Sequence, residues 1–125
     1  MSVVGVGIDV VEVKRARAIL ARHGRRALAR FLTDAERAYV AHQPDPAPHF
    51  AVRVAAKEAA YKALQCLPDM RAVGWQDLEV ARRSDGRPLL TLRGAAALLP
   101  AGHVLHLSLT HTRGVAGAVV VISTS

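Results

Sequence analysis

Apolar positions change their spacing several times along the 125-residue chain. From Val3 to Val10 almost every residue is apolar or glycine, which predicts a short buried strand ending near Asp9. From about Val11 to Arg22 the spacing becomes helical. Val13, Ala16 and Leu20 share a face, Lys14, Arg15 and Arg22 lie largely off it, and Gly24 supplies a stop. A second helical piece follows from Ala27 to Leu32. Thr33 and Glu36 then have capping-box spacing, which predicts a helix through Val40. Gln43-Pro44-Asp45-Pro46-Ala47-Pro48 reads as a loop, since proline lacks the N–H a helix interior needs. The most regular helix is expected from about His49 to Leu67, rich in alanine and stopped by Pro68.

Strands dominate the remainder. Asp77 to Arg82 alternates, Ser84-Asp85-Gly86-Arg87-Pro88 is a turn, and Leu89 to Leu92 returns as the second arm of a hairpin. Gly94 to Leu99 suits a short helix. Val104 to Thr110 and Val115 to Ile122 form another strand pair around Thr112-Arg113-Gly114. The expected architecture is α+β: an N-terminal strand, a helical block, then mainly antiparallel strands, in one domain spanning residues 1–125.

Composition adds that 51% of the residues are hydrophobic, many of them alanine, so the core should be close-packed and modest. So small a domain leaves room for oligomerisation to add stability. Met1 to Gly5 lacks the features of a signal peptide, and no apolar run reaches the roughly 18–20 residues that span a bilayer. Cys66 is the only cysteine, which excludes a disulfide framework and suits a reducing, cytoplasmic setting. Between Leu64 and Leu67 it is expected to pack inside.

Charge changes the picture more. Seventeen lysines and arginines oppose ten acids, giving +7, and Lys14, Arg15, Arg17, Arg22, Arg25, Arg26 and Arg30 crowd one stretch. Such a field attracts an anionic partner. A small basic nucleic-acid-binding domain is the alternative, for which only charge speaks: five aromatics form no stacking series, and no zinc-ligand spacing is present. A plainly solvated basic face is the simpler explanation.

Two carboxylates occupy poor settings for an idle charge. Asp9 ends an apolar strand, and Glu58 lies among Ala55, Ala56, Ala59 and Ala60. Asp9 reads either as a cap on the next helix or as a ligand. Glu58 and Lys62 read either as an i,i+4 surface pair, worth about 0.3–0.5 kcal/mol, or as a phosphate site. In the second reading a carboxylate-held cation bridges phosphate oxygens beside an ammonium group, with Lys57 nearby. No Walker-type loop is present. His111, at a strand end, reads as a phosphate contact or a surface histidine. Ser108 has no acid–histidine context, which excludes a hydrolase triad.

Five blocks in order resemble the short phosphopantetheinyl transferases of the acyl-carrier-protein synthase type. They are Gly5 to Arg15, Phe31 to Glu36, Phe50 to Leu64 with its Lys57-Glu58-Ala59 centre, Asp85 to Pro88, and Leu107 to Thr112. Val54 and Thr110 depart from the residues most frequent there. The resemblance implies a 4'-phosphopantetheinyl transferase-like fold and transfer of phosphopantetheine from coenzyme A to a serine of acyl carrier protein. It implies magnesium on Asp9 and Glu58, with Asp9, Glu58 and Lys62 catalytic and Lys62 near the diphosphate. Coenzyme A would be contacted by Arg53, Lys62, Gly86, Arg87, Pro88, Ser108 and His111. The general base stays open between Glu58 and a metal-bound water. Lys14, Arg15, Arg22 and Arg25 become candidates for docking an acidic carrier, with neither nucleic acid nor membrane as partner. The family is typically a homotrimer with sites between subunits, to which Ala118 to Ile122 is a candidate contributor, although an ordinary core strand explains that run equally well.

Overall fold

The computed structural model describes residues 1–125. In chain order it contains β1 (Ser2–Glu12), α1 (Val13–His23), α2 (Arg25–Phe31), α3 (Asp34–Ala41), α4 (Pro46–Leu64), β2 (Leu78–Arg82), β3 (Pro88–Leu92), β4 (His103–His111) and β5 (Val115–Thr124). Short 3₁₀ turns lie at Pro68–Met70, Trp75–Asp77 and Gly94–Leu98. β1, β5 and β4 form one antiparallel sheet in that order, and β2 and β3 form a separate hairpin. The α+β architecture expected from the sequence is the one observed.

β1 corrects the expectation of a buried strand. Its glycines face inward: Gly5 and Gly7 are buried, whereas Val6, Ile8 and Val10 are 54%, 64% and 62% exposed. The cause is the approach of α4. A Cβ added at Gly7 would overlap the Ala59 carbonyl, and one at Gly5 would lie 2.5 Å from the Ala63 oxygen. With a side-chain period of two, the branched residues are left on the opposite face.

Other boundaries moved for local reasons. β1 stays paired through Glu12 with Val115, so α1 starts at Val13 rather than Val11. Thr33 caps α3 as expected: its hydroxyl accepts from Glu36 N, and Glu36 Oε1 accepts from Thr33 N at 2.8 Å. The proline segment is not all loop. Asp45 caps α4, accepting from Ala47 N at 3.4 Å, and Pro46 and Pro48 fall in the first turn, where a missing N–H costs no intrahelical bond. At its other end α4 stops at Leu64. Cys66 N and Leu67 N bond back only three residues, and Cys66 is exposed rather than packed.

Alanines 55, 59 and 63 of α4 lie against Ala118, Val120 and Ile122 of β5 in the larger core cluster. A second cluster joins Val13, Ala16, Leu32, Val40 and Phe50. Only one face of the 118–122 run is therefore core. Val119 and Val121 pair with Ile8 and Val6 on the other face, which nothing in the chain covers fully. No helix is long and apolar enough to cross a membrane.

Candidate functional site

Asp9 follows Gly5 and Gly7 on the helix-facing side of β1, so the close approach of α4 brings it to the helix flank that carries Glu58 and Lys62. Lys62 Nζ donates to Asp9 Oδ1 and to the Ile8 carbonyl, both at 3.0 Å. It makes no ion pair with Glu58, so of the two readings of these residues the local i,i+4 bridge is not formed. Partial burial, and then the nearby Asp9 charge, push the Glu58 carboxyl above the usual glutamate range, with Lys62 opposing. A carboxyl whose ionisation is opposed by burial and by a neighbouring carboxylate is a fitting place for a cation. No cluster of three ligating side chains exists. The two carboxylates are donors of the kind that would hold magnesium, which commonly takes one or two carboxylates and completes its shell with water and phosphate.

These acids open on a cavity of about 360 Å³, also lined by Arg15, Phe31, Val54 and Trp75. The Phe31 and Trp75 rings meet edge to face, 4.7 Å between centroids. A second cavity of about 280 Å³, lined by Glu58, Tyr61, Val73 and Leu78, adjoins Trp75.

Arg53 lies on a different flank of α4, five residues and about 140° from Glu58 around the axis. It is 8% exposed, and its guanidinium stacks over Tyr39 at 4.6 Å. Nη1 donates to the His49 carbonyl at 3.1 Å, while Nε is buried without a partner. The adjoining cavity, about 220 Å³, is lined by Tyr39, Arg53, Arg82, Pro88 and Leu109, with Glu36 and Glu79 at its edge. Burial and then the Arg53 charge push His49 below the usual histidine range; Asp45 opposes, and His111 and Arg82 add to the depression. Glu36 and Glu79 are already paired with Lys57 and Arg93, whereas Arg53 and Arg82 have no ion-pair partner, so this flank is suited to an anion.

Of the remaining expected residues, Arg87, Pro88 and Ser108 come together between β3 and β4. Gly86 has φ +89° in the hairpin turn, a conformation that favours glycine, and its carbonyl accepts from Arg82 Nη1 at 3.0 Å. Arg87 is exposed and paired with Asp85 at 2.8 Å, Pro88 reaches the Arg53 cavity, and His111 ends β4 near His49. Ser108 is exposed between the core-packed Leu107 and Leu109 and lines a cavity of about 540 Å³ together with Arg87 and Pro88, next to the Arg53 cavity, which shares Pro88 and Leu109. Lys14, Arg15, Arg22 and Arg25 are all exposed, and Arg15 borders the acidic cavity. Arg17 is instead bound bidentately to Asp45, at 2.7 and 3.0 Å. Tyr39, His49 and Arg82 did not stand out in the sequence, where each is an isolated polar residue on a different element.

Residues 5–120 match the model of the 4'-phosphopantetheinyl transferase superfamily. The chain belongs to this superfamily. The "Holo-[acyl-carrier-protein] synthase" of Paramagnetospirillum magneticum is 42% identical over 129 residues, covering 96% of this chain and 95% of that relative. The one from Anaeromyxobacter dehalogenans is 46% identical over 127 residues, with coverage of 96% and 95%. Among solved structures, a holo-(acyl-carrier-protein) synthase from Bacillus anthracis in complex with CoA (3',5'-ADP) has a TM-score of 0.78 at 29% identity, covering 100% of both chains. The Helicobacter pylori synthase in complex with coenzyme A also has a TM-score of 0.78 at 29% identity, covering 94% of this chain and 99% of that one. The family expected from the five sequence blocks is the family found, and the phosphopantetheinyl transferase fold accounts for nearly the whole chain.

Proposed function

We propose that this protein is a holo-acyl-carrier-protein synthase, acting as one transferase domain over residues 1–125. It moves 4'-phosphopantetheine from coenzyme A to a serine of apo carrier protein and releases adenosine 3',5'-bisphosphate. The observation that carries the reading is the meeting of Asp9 with Lys62, and of Asp9 with Glu58 in the lining of one cavity, in a chain of this superfamily. Asp9 and Glu58 are the residues that would hold magnesium. Bound there, the metal supplies charge neutralisation on the diphosphate. The serine oxygen bonds to the β-phosphorus, and the bond from that phosphorus to the bridging oxygen breaks, so the nucleotide leaves with both remaining phosphates. Lys62 neutralises charge on the transferring and leaving groups. The serine proton goes to Glu58 or to adjacent water. A cytoplasmic location belongs to the same proposal.

The anion-suited flank takes the nucleotide half, with Arg53, His111 and the Gly86-Arg87-Pro88 turn, and the exposed Lys14, Arg15, Arg22 and Arg25 dock the acidic carrier. Arg53 and Glu58 line different cavities on different flanks of α4. On this reading one coenzyme A meets the acids of one copy and the Arg53 flank of a neighbouring copy. The open apolar face of Val6, Ile8, Val10, Val119 and Val121 supports such an assembly, which we place at three subunits. On this account it is the outer sheet face, Ser108 included, that meets a neighbour. Arg53→Met tests the nucleotide half: the Michaelis constant for coenzyme A should rise by about tenfold or more, the loss expected for a charge-assisted contact. That for 3'-dephospho-coenzyme A should change less. Equal changes for both would place the 3'-phosphate elsewhere.

A further inference from the structure

Lys57 sits beside Glu58 in sequence, yet its side chain is 0% exposed. Its ammonium group has three N–H donors, and all are used inside the protein. Nζ donates to the Phe31 carbonyl at 2.8 Å, to Glu36 Oε1 at 2.6 Å and to the Trp75 carbonyl at 3.0 Å. Glu36 is equally committed: Oε1 also accepts from Thr33 N at 2.8 Å, and Oε2 from Val80 N at 2.7 Å. One buried ion pair thus ties the end of α2, the start of α3, the 3₁₀ turn at Trp75 and strand β2 to the middle of α4. Gln76 reinforces the same junction, donating to the carbonyls of Ala29 and Leu32 at 2.8 and 2.7 Å.

The elements gathered there supply the wall of the acidic cavity. Phe31 and Trp75 both line it with Asp9 and Glu58, and Trp75 also faces the neighbouring cavity beyond Glu58. A buried ion pair is weak support for stability alone, because apolar replacements are often equally stable. Its best-attested use is to specify one arrangement among several, and the arrangement at issue is the aromatic wall opposite the acids. Burial depresses the proton affinity of Lys57 while the Glu36 bond opposes, so the pair depends on staying intact as a unit. With no donor left over, Lys57 is not a phosphate ligand.

We propose that Lys57 is a positioning residue: through the carbonyls of Phe31 and Trp75 it sets the aromatic wall of the transfer cavity against Glu58. The inference rests on the function proposed above and assigns a role to a residue of the Lys57-Glu58 pair outside the chemistry itself. Trp75 is the only tryptophan, so its fluorescence reports the wall directly. Three variants test the idea: Lys57→Met, the pair Lys57→Met with Glu36→Gln, and Trp75→Leu. Glu36→Gln removes the buried charge that Lys57→Met leaves unpaired, while its single amide oxygen accepts from only one of the Thr33 and Val80 N–H groups. The paired variant should therefore recover a large part of the melting temperature that Lys57→Met loses.

With the fold recovered, Trp75 emission should still be red-shifted and more easily quenched by acrylamide. The turnover number should be lower by about 10- to 100-fold, the scale of a small misplacement of reacting groups. The Michaelis constant for the carrier should stay within about twofold, because docking residues are untouched. Trp75→Leu should show the same split between turnover and docking. A paired variant that regains wild-type emission and turnover together with stability would reduce Lys57 to a structural residue and overturn the proposal. So would wild-type turnover in Trp75→Leu. Emission needs no turnover, so a wild type inactive with coenzyme A would count against the proposed function while the variants' emission still decided the role of Lys57.

Discussion

Replacing Ile8 by aspartate separates assembly from folding. Ile8 stands on the open face of β1, 64% exposed, between Val6 at 54% and Val10 at 62%. Fully burying such a side chain contributes about 1.5–3 kcal/mol, and more than half of each remains available, so the three offer roughly 3–6 kcal/mol per chain to a neighbour. In the isolated chain Ile8→Asp removes little, about 1 kcal/mol at most for a poor strand former on an exposed edge. In an assembly it forfeits its own share and buries an unpaired carboxylate, which costs several kcal/mol. Association should weaken by about 10³-fold or more, since each 1.4 kcal/mol is a factor of ten. Light scattering coupled to size exclusion should report a trimer for the wild type and a monomer for Ile8→Asp at micromolar concentration, with transferase activity lost alongside. The control is Val120→Asp on the core face, 0% exposed, which should instead unfold the chain. An Ile8→Asp protein that scatters as the wild type does would refute the reasoning, as would a fully active wild-type monomer.

Asp9→Ala and Glu58→Gln should each remove most transferase activity with the fold retained; near wild-type turnover in either would reject the metal assignment. Glu58 carries a further sign. Its carboxyl binds a proton more tightly in the fold than in the unfolded chain, so its contribution is most favourable below the usual glutamate range and is lost as pH rises through its elevated folded value. Without metal, Glu58→Gln should therefore melt above the wild type at neutral pH, and magnesium should narrow the gap; a lower melting temperature would contradict this. Arg15→Glu or Arg22→Glu should raise the Michaelis constant for the carrier far more than that for coenzyme A, with a defect that shrinks as salt rises. Normal carrier binding by both at low salt would make the basic helix a solvated face.

Local rules were legible in the sequence and tertiary choices were not. Thr33 and Glu36 announced their helix because both halves of a capping box lie within four residues. Pro46 was misplaced into a loop because the first turn of a helix is recognisable only once Asp45 is known to cap it. The glycines of β1 read simply as part of a buried strand. Only the Ala59 and Ala63 backbone pressing on them explains why the valines face outward. Lys62 chose Asp9, 53 positions away, over Glu58 one turn away. That contact needs β1 and α4 already packed, which no local spacing reveals. Asp9, Glu58 and Lys62 drew attention nevertheless, since charges among alanines and glycines are conspicuous, whereas Tyr39 and Arg82, which share the cavity of Arg53, come from α3 and β2 and carried no shared signal.

The central claim is tested most directly by the mass of the carrier. Purified protein, coenzyme A, magnesium and apo carrier should yield carrier heavier by one phosphopantetheine on its serine, with adenosine 3',5'-bisphosphate released in equal amount. The same mixture with Asp9→Ala should leave the carrier unchanged. Carrier of unaltered mass after prolonged incubation with the wild-type protein, across a panel of fatty-acid and polyketide carriers, would contradict the account.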